Sequence, residues 1–201
     1  MERLNIAVFV SGGGSNLQAI IDALSTDLNQ TTIKCVISNR KEAFGLKRAE
    51  KYGIDAHYFG IGNFPDVSER ISQLLLLLNN YKIDLIVLAG YLAILDERFI
   101  AAYKGRIINI HPSLLPKFGG HGYYGLKVHA AVLAAGEKQS GATTHFVDSG
   151  IDTGRIIYQS SVMVKADDTP EILAQRVLRE EHQLMVKTIA DIQNGVLSIG
   201  L

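Results

Sequence analysis

Residues Leu4 to Leu17 read L-N-I-A-V-F-V-S-G-G-G-S-N-L, a near-continuous apolar run followed, after Ser11, by three glycines and the start of a helical pattern. A strand covered on both faces shows such a run instead of alternation, and glycine lets the chain turn tightly into a helix. The same texture recurs downstream. Thr31 to Ile37, Asp55 to Phe59, Ile83 to Ala89 and Arg106 to His111 read as further strands. Helical patterns fit about Asn16 to Leu28, Lys41 to Tyr52, Pro65 to Tyr81 and Asp96 to Tyr103. This alternation builds βαβ units, so the expected class is α/β: a Rossmann-like, mostly parallel sheet with helices on both faces. After Pro116 comes a glycine-rich loop, Lys117 to Gly125, then a short helix from about Leu126 to Ala135. Ala142 to Val147 and Ile156 to Val164 read as C-terminal, antiparallel strands, and Thr169-Pro170-Glu171 signals the start of a long helix capped by Thr169.

The 201 residues, 47% hydrophobic with mean hydropathy +0.15, suit one compact domain over 1-201, with halves 1-111 and 112-201. Twenty Lys+Arg balance twenty Asp+Glu, so no overall field draws the chain to nucleic acid or to an anionic membrane. Cys35, the only cysteine, lies in the apolar stretch Ile33 to Ile37 and reads as a buried thiol; no disulfide framework exists, which fits a reducing cytoplasm. The opening Met1-Glu2-Arg3-Leu4-Asn5 carries no cleavable signal pattern, and the Leu74 to Leu78 run is too short to span a bilayer. The expectation is a soluble cytoplasmic protein, monomer or homodimer. The five leucines supply a buried helix face or an oligomer contact.

Ligands of such sheets gather beyond the carboxyl ends of the strands. Ser11 to Asn16, Gly90 to Leu95 and the strand end N-I-H-P at Asn109 to Pro112 should therefore converge. The period of two places Asn109 and His111 on one face: an amide that donates to a carbonyl oxygen without changing charge, beside an imidazole that moves a proton near neutral pH. Taken alone the pair suits a polar strand end with a helix-capping Asn slightly better; the rest of the chain changes that balance. The Ser11 to Asn16 loop offers backbone amides to an anion. It is no dinucleotide fingerprint, because Leu17 stands where the third glycine would fall, and no G-K-[ST] follows. A monophosphate fits better than NAD or ATP, and a tight turn capped by Ser15 is the rival reading. In Asp148 to Gly154, Asp148 reads as a turn builder, while Asp152, between Gly150 and Gly154, is placed to aim at His111 and raise its pKa. His145 reads as a structural histidine. No H-x-x-x-H or H-E-x-x-H spacing occurs, so no metal is expected.

The combination of S-G-G-G-S-N-L at Ser11 to Leu17, V-L-A-G-Y at Val87 to Tyr91, N-I-H-P-S-L-L-P at Asn109 to Pro116, H-F-V at His145 to Val147 and I-D-T-G at Ile151 to Gly154 closely resembles the formyltransferases that use 10-formyltetrahydrofolate. The resemblance covers essentially the whole chain. It implies that Asn109 stabilises the tetrahedral oxyanion, His111 acts as acid/base group, and Asp152 raises the pKa of His111 and organises a water. It also implies that Gly14, Ser15 and Asn16 bind the phosphoribosyl end of 5'-phosphoribosylglycinamide, an acceptor of purine synthesis, with Glu181 near its ribose. Leu92, Ala93, Ile94 and Leu95, together with Asn109, Val147, Asp148 and Ile151, would then hold the folate. The N-terminal half becomes the phosphate-binding half and the C-terminal half the folate-binding one. The partners implied are small molecules, with neither metal nor covalent enzyme intermediate.

Three departures from the family pattern stand out. Ala93 replaces a frequent Arg, Leu178 replaces a polar residue one turn before Glu181, and the Lys117 to Gly125 loop is several residues longer. Lys127, Arg176 or Arg179 is then expected to supply the missing charge. Competing readings are a formyltetrahydrofolate hydrolase, which usually carries a further N-terminal domain, and methionyl-tRNA or sugar formyltransferases. The tRNA enzymes need a basic surface and a further C-terminal domain that a neutral chain ending at Leu201 does not offer. A non-catalytic folate or nucleotide binder is the remaining reading.

Overall fold

The computed structural model describes residues 3–200; Met1, Glu2 and Leu201, on which part of the reading of the chain ends rests, lie outside the described residues. In chain order the elements are β1 (Leu4–Val10), α1 (Ser15–Ala23), β2 (Thr31–Ser38), α2 (Phe44–Lys51), β3 (Asp55–Tyr58), α3 (Val67–Asn80), β4 (Leu85–Leu88), α4 (Glu97–Ala102), β5 (Ile107–His111), α5 (Leu126–Ala134), β6 (Gln139–Phe146), β7 (Ile156–Met163) and α6 (Pro170–Gln193). One seven-stranded sheet has the order β3-β2-β1-β4-β5-β6-β7. The first five strands pair in parallel, and β6 and β7 run antiparallel to their neighbours.

Alternation along β1 explains the two hydrophobic layers. Ile6, Val8 and Val10 face one cluster with residues of α1, α2 and α6, whereas Ala7 and Phe9 face the other with α3 and α4. Phe9 is fully buried and meets Tyr91 edge-on at 5.3 Å and Phe99 at 5.9 Å. Cys35 lies buried in the second layer, where burial pushes its thiol up to about 12. In the Leu74 to Leu78 run, Leu74 and Leu78 are core residues, Leu75 and Leu77 pack against them, and Leu76 alone is exposed. No helix among the described residues is long and apolar enough to cross a membrane.

Local hydrogen bonding accounts for the shifted helix ends. Helix α1 stops at Ala23, not Leu28, because the Ala23 carbonyl accepts from the Thr26 and Leu28 amides and from the Thr26 hydroxyl, which turns the chain and buries Leu28. Helix α2 starts at Phe44, not Lys41: the Gly45 amide is drawn to the Gly12 carbonyl at 3.0 Å. The cap of α1 is Gly14, with φ 70° and no side-chain cap, instead of Ser15, which is already helical. A Cβ at Gly14 would stand 2.8 Å from the Gly45 Cα, so both its left-handed backbone and its closeness to α2 require glycine. Thr169 does cap α6, accepting from the Ile172 amide, with Pro170 following.

Helix α5 carries His129 into the interior at 3% exposure, with its Nδ1 unpartnered. Burial, and then the nearby His111, push its pKa down to about 4. Because the unfolded ring takes up a proton near pH 6.5 and the folded ring near 4, acidification through that window favours unfolding. Thermal melts from pH 7 to 4 should show a loss of Tm that is smaller in His129→Phe than in the parent chain; parallel curves would contradict this.

Candidate active site

Strand β5 ends at His111 because Pro112 has no amide to continue the ladder. In the antiparallel β5–β6 pairing Asn109 stands opposite His145, and His111 opposite Thr143. Cross-strand partners share a face, and the Asn109 amide Nδ2 lies 3.1 Å from His145 Nε2. His145 Nδ1 donates to the Phe146 carbonyl at 2.9 Å, which leaves Nε2 of the neutral ring as acceptor for one Asn109 N–H. The second N–H of that amide has no partner among the described residues. His145 is thus the orienting group of Asn109, a role that a reading of β6 without its register cannot reveal.

Asp152 reaches the same point from the β6–β7 turn, with a left-handed backbone at φ 58°. Its Oδ2 lies 3.4 Å from His111 Nδ1, and its Oδ1 lies 3.6 Å from His145 Nε2. The Gly120 amide donates to Oδ2 at 2.9 Å. His111 Nε2 donates to the Phe118 carbonyl at 2.8 Å, so a second proton on this ring enters at Nδ1, against the carboxylate. Asp148 builds the turn as expected: its Oδ1 accepts from the Gly150 amide at 3.0 Å and the Thr153 hydroxyl at 2.7 Å.

Asp152 acts on the His111 pKa in the expected upward direction, but the net shift is downward. The ring is 4% exposed, and burial lowers its pKa more than Asp152 and the Phe118 carbonyl raise it, with His145 lowering it further. Burial also works against the Asp152 anion, yet contact with His145, the charge of His111 and the Gly120 amide outweigh it and hold that carboxyl below the usual range. Near neutral pH the resting pair is therefore a carboxylate beside a neutral imidazole.

These groups floor a cavity of about 630 Å³. Leu92, Ala93, Ile94 and Leu95 line one wall; Val147, Asp148 and Ile151 line the adjoining one. Leu92 and Ile94 expose apolar surface at the mouth. Glu181 also lines the cavity, buried, its pKa raised by burial against the opposing hydrogen bond from Asn16 Nδ2 at 2.9 Å. Gly14, Ser15 and Asn16 lie behind Glu181 and do not line the wall. Space beside Gly12 and Gly13 is open. Ser11 ties the first loop to the wall by donating to Asn39 Oδ1 at 2.5 Å and accepting from the Leu92 amide at 2.8 Å. The Lys117 to Gly125 loop roofs the site through Gly120 to Gly125, which sequence reading placed only as a lid candidate.

An α/β sheet with an amide donor, an imidazole and a carboxylate gathered beyond its strand ends defines a ligand site equipped for proton transfer. A family model described as formyl transferase matches residues 4–189, and the chain belongs to this family. It is 39% identical over 196 residues to the phosphoribosylglycinamide formyltransferase of Escherichia coli K12, covering 98% of this chain and 90% of that one. It is 44% identical over 191 residues to the chloroplastic phosphoribosylglycinamide formyltransferase of Arabidopsis thaliana, covering 94% of this chain and spanning only 65% of that protein's length. A solved phosphoribosylglycinamide formyltransferase from Coxiella burnetii superposes with a TM-score of 0.91 at 40% identity, covering 100% of this chain and 92% of that one.

The charge relation between Asp152 and His111 predicts a shift readable by histidine ring NMR. Asp152→Asn removes the attracting carboxylate and should move the His111 midpoint further below 6.5. A rise on Asp152→Asn would contradict the assignment.

Proposed function

We propose that this chain transfers the formyl group of 10-formyltetrahydrofolate to the amine of 5'-phosphoribosylglycinamide, giving the formylated ribonucleotide and tetrahydrofolate in de novo purine synthesis. The observation that carries this reading is the meeting of Asn109, His111 and Asp152 in a cavity with an apolar wall at Leu92 to Leu95. The names of the full-length bacterial relatives support the choice of acceptor.

The free N–H of Asn109, held in direction by His145, donates to the formyl oxygen and strengthens as that oxygen takes negative charge in the tetrahedral state. The neutral imidazole of His111 receives the proton that the attacking amine loses, and the Asp152 carboxylate stabilises the imidazolium that results. Transfer of that proton to the departing folate nitrogen completes the exchange. Amine attack is direct, so no side chain forms a covalent bond to the formyl group. The proton enters at Nδ1, the nitrogen that faces Asp152, while Nε2–H stays bonded to the Phe118 carbonyl. Leu92 to Leu95, Asn109, Val147, Asp148 and Ile151 hold the folate in the C-terminal half. Gly14, Ser15, Asn16 and Glu181 hold the phosphoribosyl end against the N-terminal half. The setting is cytoplasmic, the partners are these small molecules, and the working unit is a monomer or homodimer.

Spectroscopic assay of 10-formyltetrahydrofolate with and without the ribonucleotide, with formate measured in parallel, should show turnover that requires the amine and releases no formate. Amine-independent formate would establish the hydrolase, and binding without turnover a non-catalytic binder. Asn109→Ala and His111→Ala should each lower kcat by roughly a hundredfold or more.

Because His111 accepts a proton in its neutral form and burial lowers its pKa, kcat/KM should fall as pH drops through a value below 6.5 and stay level above it. An acid limb centred above 6.5 would remove His111 from this role.

A further inference from the structure

A neutral imidazole carries one ring proton, and two acceptors compete for that of His111. The Phe118 carbonyl lies 2.8 Å from Nε2, and the Asp152 carboxylate lies 3.4 Å from Nδ1. A charged acceptor makes the stronger hydrogen bond at equal distance. Charge therefore draws the proton to Nδ1, whereas distance draws it to Nε2. Only the Nε2–H form leaves Nδ1 free to take a proton beside the carboxylate. In the other form the one free nitrogen faces a main-chain carbonyl of the roof. The placing of Phe118 thus decides whether the ring can act as a base.

A row of side chains across the sheet fixes that placing. His111 on β5 stands opposite Thr143 on β6, and Thr143 stands opposite Gln159 on β7. Thr143 is fully buried, and its hydroxyl is used in full. It donates to the Ser113 carbonyl at 2.6 Å and accepts from the Leu115 amide at 3.1 Å and from Gln159 Nε2 at 2.9 Å. Gln159 Nε2 also donates to the Leu115 carbonyl at 2.9 Å. The stretch Ser113 to Leu115 is thereby held at both ends. The buried Ser113 hydroxyl then donates to the Lys117 carbonyl at 2.6 Å, one residue before Phe118. On the other side of Phe118, a Cβ at Gly119 would stand 2.4 Å from Leu115 Cδ2, so the roof rests on the Leu115 side chain there. Thr143, Gln159 and Ser113 do not line the cavity.

We propose that Thr143, backed by Gln159, is a positioning residue of the reaction: it anchors Ser113 to Leu115 so that the Phe118 carbonyl holds His111 in the Nε2–H tautomer. This rests on the proton-accepting role given to His111 above. The anchor acts through the main chain of the roof and not by contact with either substrate.

The tautomer can be read without substrate, from the ring nitrogen shifts and couplings of histidine-labelled protein at a pH where the ring is neutral. The parent should show His111 as Nε2–H. Thr143→Val keeps the side-chain shape and removes the hydroxyl, so the Nδ1–H form should enter. Its kcat should fall by the same factor as the Nε2–H fraction, roughly twofold to tenfold, with KM for both substrates little moved. Gln159→Leu, at an exposed position on the edge strand, should act more weakly in the same direction, and it decides the matter if Thr143→Val does not fold. Thr143→Ser, which keeps the hydroxyl, should restore both tautomer and kcat. An Nδ1–H ring in the parent, an unmoved tautomer in the folded variants, or a shifted tautomer with unchanged kcat would overturn the anchor. A tautomer shift in a chain that transfers no formyl group would uphold the anchor and overturn the function proposed above.

Discussion

A single partly buried carboxylate, Asp152, ties the site together. Asp152 faces His111 from one oxygen and His145 from the other, and the same group takes the Gly120 amide of the roof. Two strands, a turn and a loop far apart in sequence are thereby held to one point. The cost of keeping an anion at this depth is offset only while those partners stay in place. The left-handed backbone at Asp152 serves the same end, since it aims the carboxyl inward from a turn that would otherwise project it into solvent. The turn has its own support: Asp148 braces it from Gly150 to Thr153, and a Cβ at Gly154 would fall 1.8 Å from the Phe146 carbonyl oxygen, so backbone packs on backbone there.

The sheet carries this arrangement because of where its direction changes. Parallel strands bring β1, β4 and β5 to a common end, and the antiparallel return of β6 lays His145 beside Asn109. A parallel sixth strand would point its carboxyl end the same way as β5 and leave no turn at Asp152. Burial then sets the chemistry: it keeps His111 neutral in spite of the carboxylate, which makes the ring a proton acceptor at rest, a poise that proximity alone would have reversed.

Much of the fold is legible along the chain because the signals are local. Apolar-rich, β-branched runs mark β1 and β2, the two-residue period pairs Asn109 with His111, and Thr169-Pro170 starts α6. Helix ends are less so, since α1 and α2 are trimmed by hydrogen bonds to Ala23 and Gly12 that depend on tertiary closeness. The site divides in the same manner. Asn109, His111 and Asp152 stand out as residue types at strand ends and turns, whereas the part played by His145 depends on strand register, and the direction of the His111 pKa shift on depth of burial. Gly14 to Asn16 read as a binding loop in sequence, and the fold adds what sequence does not show, that Gly14 packs α1 against α2 and Asn16 steadies Glu181.

The roof grips the catalytic groups entirely through main-chain atoms, the Phe118 carbonyl on His111 and the Gly120 amide on Asp152. Those atoms are common to almost every amino acid, so the grip places little demand on which side chains the roof carries. Latch and reader are therefore separable: the segment can be rewritten at its outward positions to greet a different acceptor while its hold on the proton-transfer pair is inherited unchanged. Diversification of a formyl-handling scaffold toward new amines has, in this loop, a route that leaves the chemistry alone.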